Sequence, residues 1–344
     1  MKVRVAFCFI FCLLGIYSIF GQKKAVASVG IMFYNVENLF DTEDDPEKND
    51  NDFLPTSKHY WTIERYKKKL DNISKVILSV NVDMPVVVGL AEVENERVLD
   101  DLVKNTGLSK FNYKIIHKES DDPRGIDAAL LYRPDLFKPL SSKFIKVIGK
   151  KGRGQLRTRD IVYTKGVLAK TDTVHIFINH WPSRLGGELK SEQKRMFAAA
   201  VMRVQVDSIL KQNSRSSIVV VGDFNDDPDN MSIKNTLRAR GKAEAVNKGD
   251  LVNLSAEWVG NINRIGTLKY KGKWNVFDQV IVSRFLADKT TGLCVSKAEI
   301  AALPFILQED ERHGGKKPLE TYDGMKYTGG YSDHLPVLLK LQVH

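Results

Sequence analysis

Ser217-Ile218-Val219-Val220-Val221-Gly222-Asp223-Phe224-Asn225 is an apolar, β-branched run that stops at a glycine and passes straight into a carboxylate and an amide. A run this short, rich in Val and Ile and bounded by Gly, Asp and Asn, reads as a strand. The same ending recurs along the chain. Residues 29–34 end at Asn35-Val36-Glu37-Asn38, and residues 85–90 at Ala91-Glu92-Val93-Glu94. Residues 173–179 end at His180-Trp181-Pro182-Ser183-Arg184. Val276-Phe277 leads into Asp278, and Ser332-Asp333-His334 precedes a last strand at 335–343. A carboxylate after a strand is commonly a turn former or helix cap. Six such endings, on strands able to converge at one edge, point instead to chemistry.

Further strands are expected at 113–117, 128–132, 167–169 and through 276–283. Two helices accompany them. In residues 61–80, Ile63, Tyr66, Leu70, Ile73, Ile77 and Val80 recur at spacings of three and four, one apolar stripe. Thr62 is placed as its N-cap, and Lys67, Lys68 and Lys69 mostly off the stripe. The second helix spans about 191–212, with Met196, Ala199, Ala200, Arg203 and Val206 on neighbouring turns. Many strands with few helices predict packed sheets flanked by helices, an α/β fold.

The 344 residues carry a net charge of +10 and are 43% hydrophobic. Lys2 and Arg4 precede an uncharged apolar run to Phe20, followed by small residues at 25–28. That is the layout of a secretory signal, assigned to residues 1–27, and it implies export to a periplasmic or extracellular space. The apolar run is short for a membrane span, so no stable membrane insertion is expected after cleavage. No linker or repeat divides residues 28–344, which read as one domain, most simply a monomer. Cys8 and Cys12 fall in the signal, so Cys294 has no internal disulfide partner. A hydrophobic core must supply the stability. Composition excludes disordered, fibrous and disulfide-scaffold proteins.

Segment 41–52 holds seven acids against Lys48 alone, a local charge of −6. It reads as a solvated loop or as an accessory cation site, for which Ca²⁺ is the candidate. The basic surplus elsewhere is therefore larger than the total suggests, and favours a polyanionic partner such as nucleic acid, lipid head groups or phosphorylated small molecules.

The strand-end set of Asn, Glu, Asp, Asn and Asp is oxygen-rich and sulfur-free, which suits Mg²⁺ or Mn²⁺ better than zinc. Asp223, Asn225, Asp227 and Asp229 match alternate positions of a calcium-binding EF-hand loop. That template fails where it needs Gly and finds Pro228, and where it needs Glu and finds Lys234. His-Glu-x-x-His, Gly-x-Ser-x-Gly and Walker patterns are absent. Lys150-Lys151-Gly152-Arg153-Gly154 reads as a basic loop.

Asn35-Val36-Glu37-Asn38, Ala91-Glu92, Asn179-His180, Gly222-Asp223-Phe224-Asn225, Asp278 and Ser332-Asp333-His334 together resemble the endonuclease/exonuclease/phosphatase superfamily. That group includes DNase I-like nucleases, sphingomyelinases and inositol-polyphosphate 5-phosphatases. The resemblance spans about 29–343, and the run 179–184 is similar to a bacterial, often exported, nuclease-like branch. It implies a four-layer sandwich of two packed mixed β-sheets flanked by helices. It also implies metal-dependent phosphodiester hydrolysis, with Glu92 the principal metal ligand and Asn35 and Asp333 in or near the same shell. Asp223 would position or deprotonate water, and Asn225 would hold the phosphate or that water. His334 would donate to a phosphate oxygen, with Asp278 fixing its tautomer. His180 would stabilise the transition state or protonate the leaving oxygen. Arg184, Arg133, Arg157, Arg159 and Tyr132 are candidate substrate contacts, because guanidinium groups suit phosphates. Residues 313–331 are expected to form a mobile basic loop over the site. An exported endonuclease is the leading reading, with a phospholipid head-group or inositol-phosphate hydrolase as the alternative.

Overall fold

The computed structural model describes residues 28–80, 84–149, 156–245, 247–260 and 265–344. The expected signal and the basic loop at 150–154 lie outside the described residues. One sheet contains β1 (Ser28–Leu39), β2 (Val87–Val93), β3 (Lys114–Ile116), β4 (Asp127–Tyr132), β12 (Leu293–Ile300) and β13 (Val337–Val343). Their order is β12-β13-β1-β2-β4-β3. The other contains β5 (Phe137–Ile145), β6 (Ile161–Leu168), β7 (Asp172–His180), β8 (Ser217–Asp223), β9 (Ala239–Arg240), β10 (Leu251–Asn253) and β11 (Asp278–Ser283). Their order is β5-β6-β7-β8-β11-β10-β9. Both sheets are mixed, and each has a parallel pair near its centre, β1 with β2 and β7 with β8.

Period-two alternation assigns the faces. Ile31 and Phe33 of β1 pack against Ile176, Ile178, Val219 and Val221 between the sheets. Met32 and Tyr34 face α1 (Ile63–Ser79) and α2 (Glu96–Lys104). Ile218 and Val220 of β8 face α3 (Glu188–Gln212). Helix, sheet, sheet, helix is the four-layer sandwich expected from the sequence. Each fully buried Val, Ile or Leu contributes roughly 1.5–3 kcal/mol, so the double-sided strands supply most of the core. The sheets meet closely at Gly89, where a Cβ would fall 2.6 Å from Ile178 Cδ1.

Parallel pairing fixes where the strands end. Asn35 is level with Ala91, His180 with Asp223, and Asp223 with Asp278 at the start of antiparallel β11. Four strand ends and one strand start thus share one edge of the sandwich. Thr62 is extended as an N-cap should be, but its side chain makes no capping bond to the backbone. β5, α2 and β12 were not expected. Residues 313–331 are not one open loop: strands Lys316–Pro318 and Tyr322–Asp323 belong to two short hairpins. Cys294 is buried and free. Among the described residues no helix is long and apolar enough to cross a membrane.

Candidate active site

The strand-end residues converge on Asp223. Its Oδ2 accepts from Asn35 Nδ2 at 3.0 Å, and its Oδ1 from the Asn225 amide at 2.9 Å. The same Oδ2 faces two imidazoles, His180 Nε2 at 3.6 Å and His334 Nε2 at 3.8 Å. Gly222 is required immediately before it, since a Cβ there would fall 2.3 Å from the Asn179 carbonyl. Asn225 follows in a left-handed conformation, φ +52°, and its Nδ2 donates to the Trp181 carbonyl at 3.0 Å. Glu92 sits in a bulge of β2, between Ala91 and Val93 in its pairing with β4, at φ +63°. Glu37 and Asn38 are also left-handed. Strain of this kind in non-glycine residues collects where a site needs particular directions for its side chains.

The two histidines are held in opposite charge states. Burial alone would lower His334, but the carboxylates of Asp278, Asp333 and Asp223 outweigh it and raise it well above its ordinary value. Its Nδ1 lies 2.7 Å from Asp278 Oδ2. Asp278 is itself pushed up to about 6 by burial, against the opposing charge of His334, and Thr267 Oγ1 accepts from its amide at 3.0 Å. His180 is pushed well below its ordinary value, first by burial and then by the positive charges of Arg159, Arg124 and His334. The edge therefore presents an imidazolium and a neutral imidazole on either side of one carboxylate.

Oxygen donors for a cation lie beside this trio. Glu92 Oε2 accepts from the Asn38 amide at 3.1 Å, while Oε1 stands 3.7 Å from His180 Nε2. Asp333 is 42% exposed, 4.0 Å from His334 Nε2, and so open to a ligand. Asn35 Oδ1 accepts the Glu37 amide at 3.0 Å. The charges of Glu37, Glu92, Asp333 and Glu320 act on one another, and a hard divalent cation would relieve that repulsion. The donor set fits such an ion. Asp223, Asp278 and His334 also bring one ligand-type atom each within 4.8 Å of the others. A protonated imidazole has no lone pair to give, however, so this trio is better suited to proton chemistry than to ligation.

The five weaker candidates part company. Tyr132 is level with Val87, whereas Asp127 at the other end of β4 is level with Val93. Tyr132 and Arg133 therefore lie at the far edge of the sheet, where Arg133 pairs with Asp135 at 2.9 Å. Arg157 is directed to the Asp121 carbonyl at 3.2 Å. Arg159 is buried behind the site, bound to Asp122 at 3.0 Å and to the Trp181 carbonyl at 2.6 Å. Arg184 is not a free phosphate clamp. Its Nε holds the Asn225 carbonyl at 2.8 Å, its charge is shared among Glu188, Asp226 and Asp227, and it lies over the Phe277 ring.

Sequence reasoning missed Lys69, Thr267 and Arg124. Lys69 is 1% exposed, not off the stripe. Its Nζ bonds Thr321 Oγ1 and the Tyr331 carbonyl and lies 3.7 Å from Glu37. Its position was legible, three residues after Tyr66 and four before Ile73. Glu37, pushed up to about 7 by burial despite Lys69, accepts the Thr321 amide at 2.7 Å. That bond docks the 322–327 hairpin against the site.

No curated protein matches the chain significantly. Solved structures do. An endonuclease/exonuclease/phosphatase family protein from Bacteroides thetaiotaomicron matches with a TM-score of 0.58 at 17% identity, over 93% of this chain and 99% of that one. A mannosyl-6-phosphatase from B. thetaiotaomicron VPI-5482 gives 0.57 at 16%, over 91% and 99%. D. rerio TDP2 complexed with a single-strand DNA product gives 0.54 at 15%, over 92% and 99%. At these identities the likeness is one of fold. The sequence model of the Endonuclease/Exonuclease/phosphatase family matches residues 30–343, which include every residue built into the edge above, and the chain belongs to that family.

Proposed function

We propose that the protein hydrolyses phosphodiester bonds in nucleic acid as an exported endonuclease that uses Mg²⁺ or Mn²⁺. The observation that carries this reading is the placement of the Asp223 carboxylate between the Nε2 atoms of His180 and His334, at 3.6 and 3.8 Å. Phosphodiester hydrolysis needs a base for water, cationic donors for the phosphate oxygens and a route for the leaving oxygen's proton. Asp223, fixed by Asn35 and Asn225, takes the proton of the attacking water. His334 donates an Nε2–H hydrogen bond to a phosphate oxygen, and Asp278 keeps the ring charged and oriented. His180, neutral, donates an Nε2–H hydrogen bond to the transition state or the leaving oxygen, which takes its proton from water. Glu92, with Asn35 and Asp333, would hold the divalent ion, which when bound would supply Lewis-acid neutralisation of the phosphate. The basic surplus of the chain outside segment 41–52 supports a phosphate backbone as the substrate.

One observation favours a second reading. Leu185 and Leu189 are 89% and 84% exposed on the segment that follows Arg184, beside Asn225. Apolar side chains at the rim suit a phospholipid, whose head group would enter the same site. A panel supplemented with Mg²⁺ and offering plasmid DNA, single-stranded DNA, RNA, sphingomyelin and inositol phosphates separates the two. Plasmid nicking without lipid turnover supports the nuclease, and lipid turnover alone overturns it.

A further inference from the structure

Asp226 follows Asn225 in the acidic run that fails as a calcium loop, and both Asp226 and Arg195 of α3 are fully buried. Arg195 Nε lies 2.7 Å from Asp226 Oδ1, and the same oxygen accepts from Arg184 Nη2 at 3.2 Å. Asp226 Oδ2 accepts from Ser232 Oγ at 2.6 Å, so both oxygens are committed inside the protein. The rest of the Arg195 guanidinium is tied to its own helix, Nη1 to Ser191 Oγ at 2.7 Å and Nη2 to the Glu188 carbonyl at 3.1 Å. Apolar side chains of similar volume would often hold α3 on the sheet as well as a buried ion pair does. What the charges add is direction.

Arg184 carries that direction to the turn after Asp223. Its Nε donates to the Asn225 carbonyl at 2.8 Å, its Nη2 also reaches Asn230 Oδ1 at 2.9 Å, and the guanidinium lies 4.5 Å from the centre of the Phe277 ring. The following backbone groups are tied as well. Gln279 Nε2 donates to the Asp226 carbonyl at 2.6 Å, and the Asp227 amide donates to Asn230 Oδ1 at 2.7 Å. Asn225 stands at φ +52°, a conformation that costs a residue with a side chain energy unless its surroundings hold it. Here its amide is bound to Asp223 Oδ1, its Nδ2 to the Trp181 carbonyl and its own carbonyl to Arg184.

We propose that Asp226 and Arg195 are positioning residues, whose buried ion pair fixes Arg184 so that Arg184 holds Asn225 in the left-handed turn that orients it and Asp223 toward the phosphate. The proposal rests on the phosphodiesterase reading of the edge. Two bonds fix the Asp223 carboxylate, one from Asn35 and one from the Asn225 amide. A turn that relaxes at Asn225 loses the second and frees the carboxylate to rotate. Arg184 thus serves the reaction without touching the phosphate.

The test compares wild type with Arg184→Met, Asp226→Asn and Arg195→Met/Asp226→Leu in Mg²⁺ on an activated phosphodiester, with thermal melting of each and a crystal structure of Arg184→Met. Each variant should lose roughly 10²-fold in kcat with KM within about twofold of wild type, because the reacting groups are misdirected and no phosphate contact is removed. The Arg184→Met structure should show Asn225 outside the left-handed region. The double variant should melt above Asp226→Asn, since both buried charges leave together, and still keep the low kcat. Arg184 is partly exposed, so Arg184→Met folds even if Asp226→Asn does not. A double variant whose kcat recovers along with its stability overturns the proposal, because the pair is then only structural. So does an Arg184→Met enzyme that loses KM instead of kcat, or one whose Asn225 is unmoved. A wild type that hydrolyses no phosphodiester overturns the functional reading instead, and the Asn225 conformation in Arg184→Met then decides whether the clamp exists.

Discussion

Asp223 and Asp278 are directly paired across the antiparallel strands β8 and β11, yet they serve different partners. Asp278 is fully buried and spends Oδ2 on His334 Nδ1 at 2.7 Å. Asp223 accepts from Asn35 and Asn225 and faces the Nε2 atoms of both histidines. One carboxylate is given to a single imidazole, and the other stands between two.

That division predicts a pH effect. The carboxylates around His334 raise it above its ordinary value near 6.5, so wild type keeps its imidazolium, and its rate, as the pH climbs past neutrality. Asp278→Asn removes the nearest negative charge and leaves the burial that lowers the ring. The alkaline limb of kcat/KM should move down by about 1–3 pH units, while circular dichroism stays native. An unmoved limb would show that Asp278 does not control His334.

Buried Lys69 pairs with partly buried Glu37 at 3.7 Å. Removing one partner of such a pair costs about 3–5 kcal/mol, while replacing both costs far less. Lys69→Met should therefore lower stability by that amount in urea unfolding, and Lys69→Met/Glu37→Gln should recover most of it. Additive losses in the two single variants would contradict the coupling.

Gly222→Ala tests the approach of β7 to β8. Its Cβ would fall 2.3 Å from the Asn179 carbonyl, backbone that cannot rotate away, at a cost of about 1–3 kcal/mol. Because the displaced residue adjoins Asp223, activity should fall more steeply than thermal stability. A variant with wild-type turnover would show that the close approach is not needed for catalysis.

How much of this was legible in the sequence follows from range. Apolar runs that stop at Asn35, Glu92, His180 and Asp223 are local signals, and parallel pairing carries them to one edge. β5 is largely exposed, so no apolar alternation marked it. α2 is only nine residues long, capped by Asn95 on the Val98 amide, too short for a periodic pattern. The burial of Lys69 is legible from its spacing to Tyr66 and Ile73, but its partners Thr321 and Tyr331 lie more than 250 positions away and leave no local signal. Arg184 is a candidate substrate contact in the sequence, and the carboxylates that share its charge, Asp226 and Asp227, come together with it only in the fold. The strand-end residues that share the edge carry local signals, and the distant partners of Lys69 and Arg184 do not.

The most direct test of the account compares purified wild type with Asp223→Asn on plasmid DNA and on an activated phosphodiester, in EDTA and in Mg²⁺. The account predicts hydrolysis by wild type that is lost in EDTA and restored by Mg²⁺, and a folded Asp223→Asn variant slower by roughly 10²–10⁴-fold. A folded Asp223→Asn protein with near wild-type turnover would contradict the central role of this carboxylate.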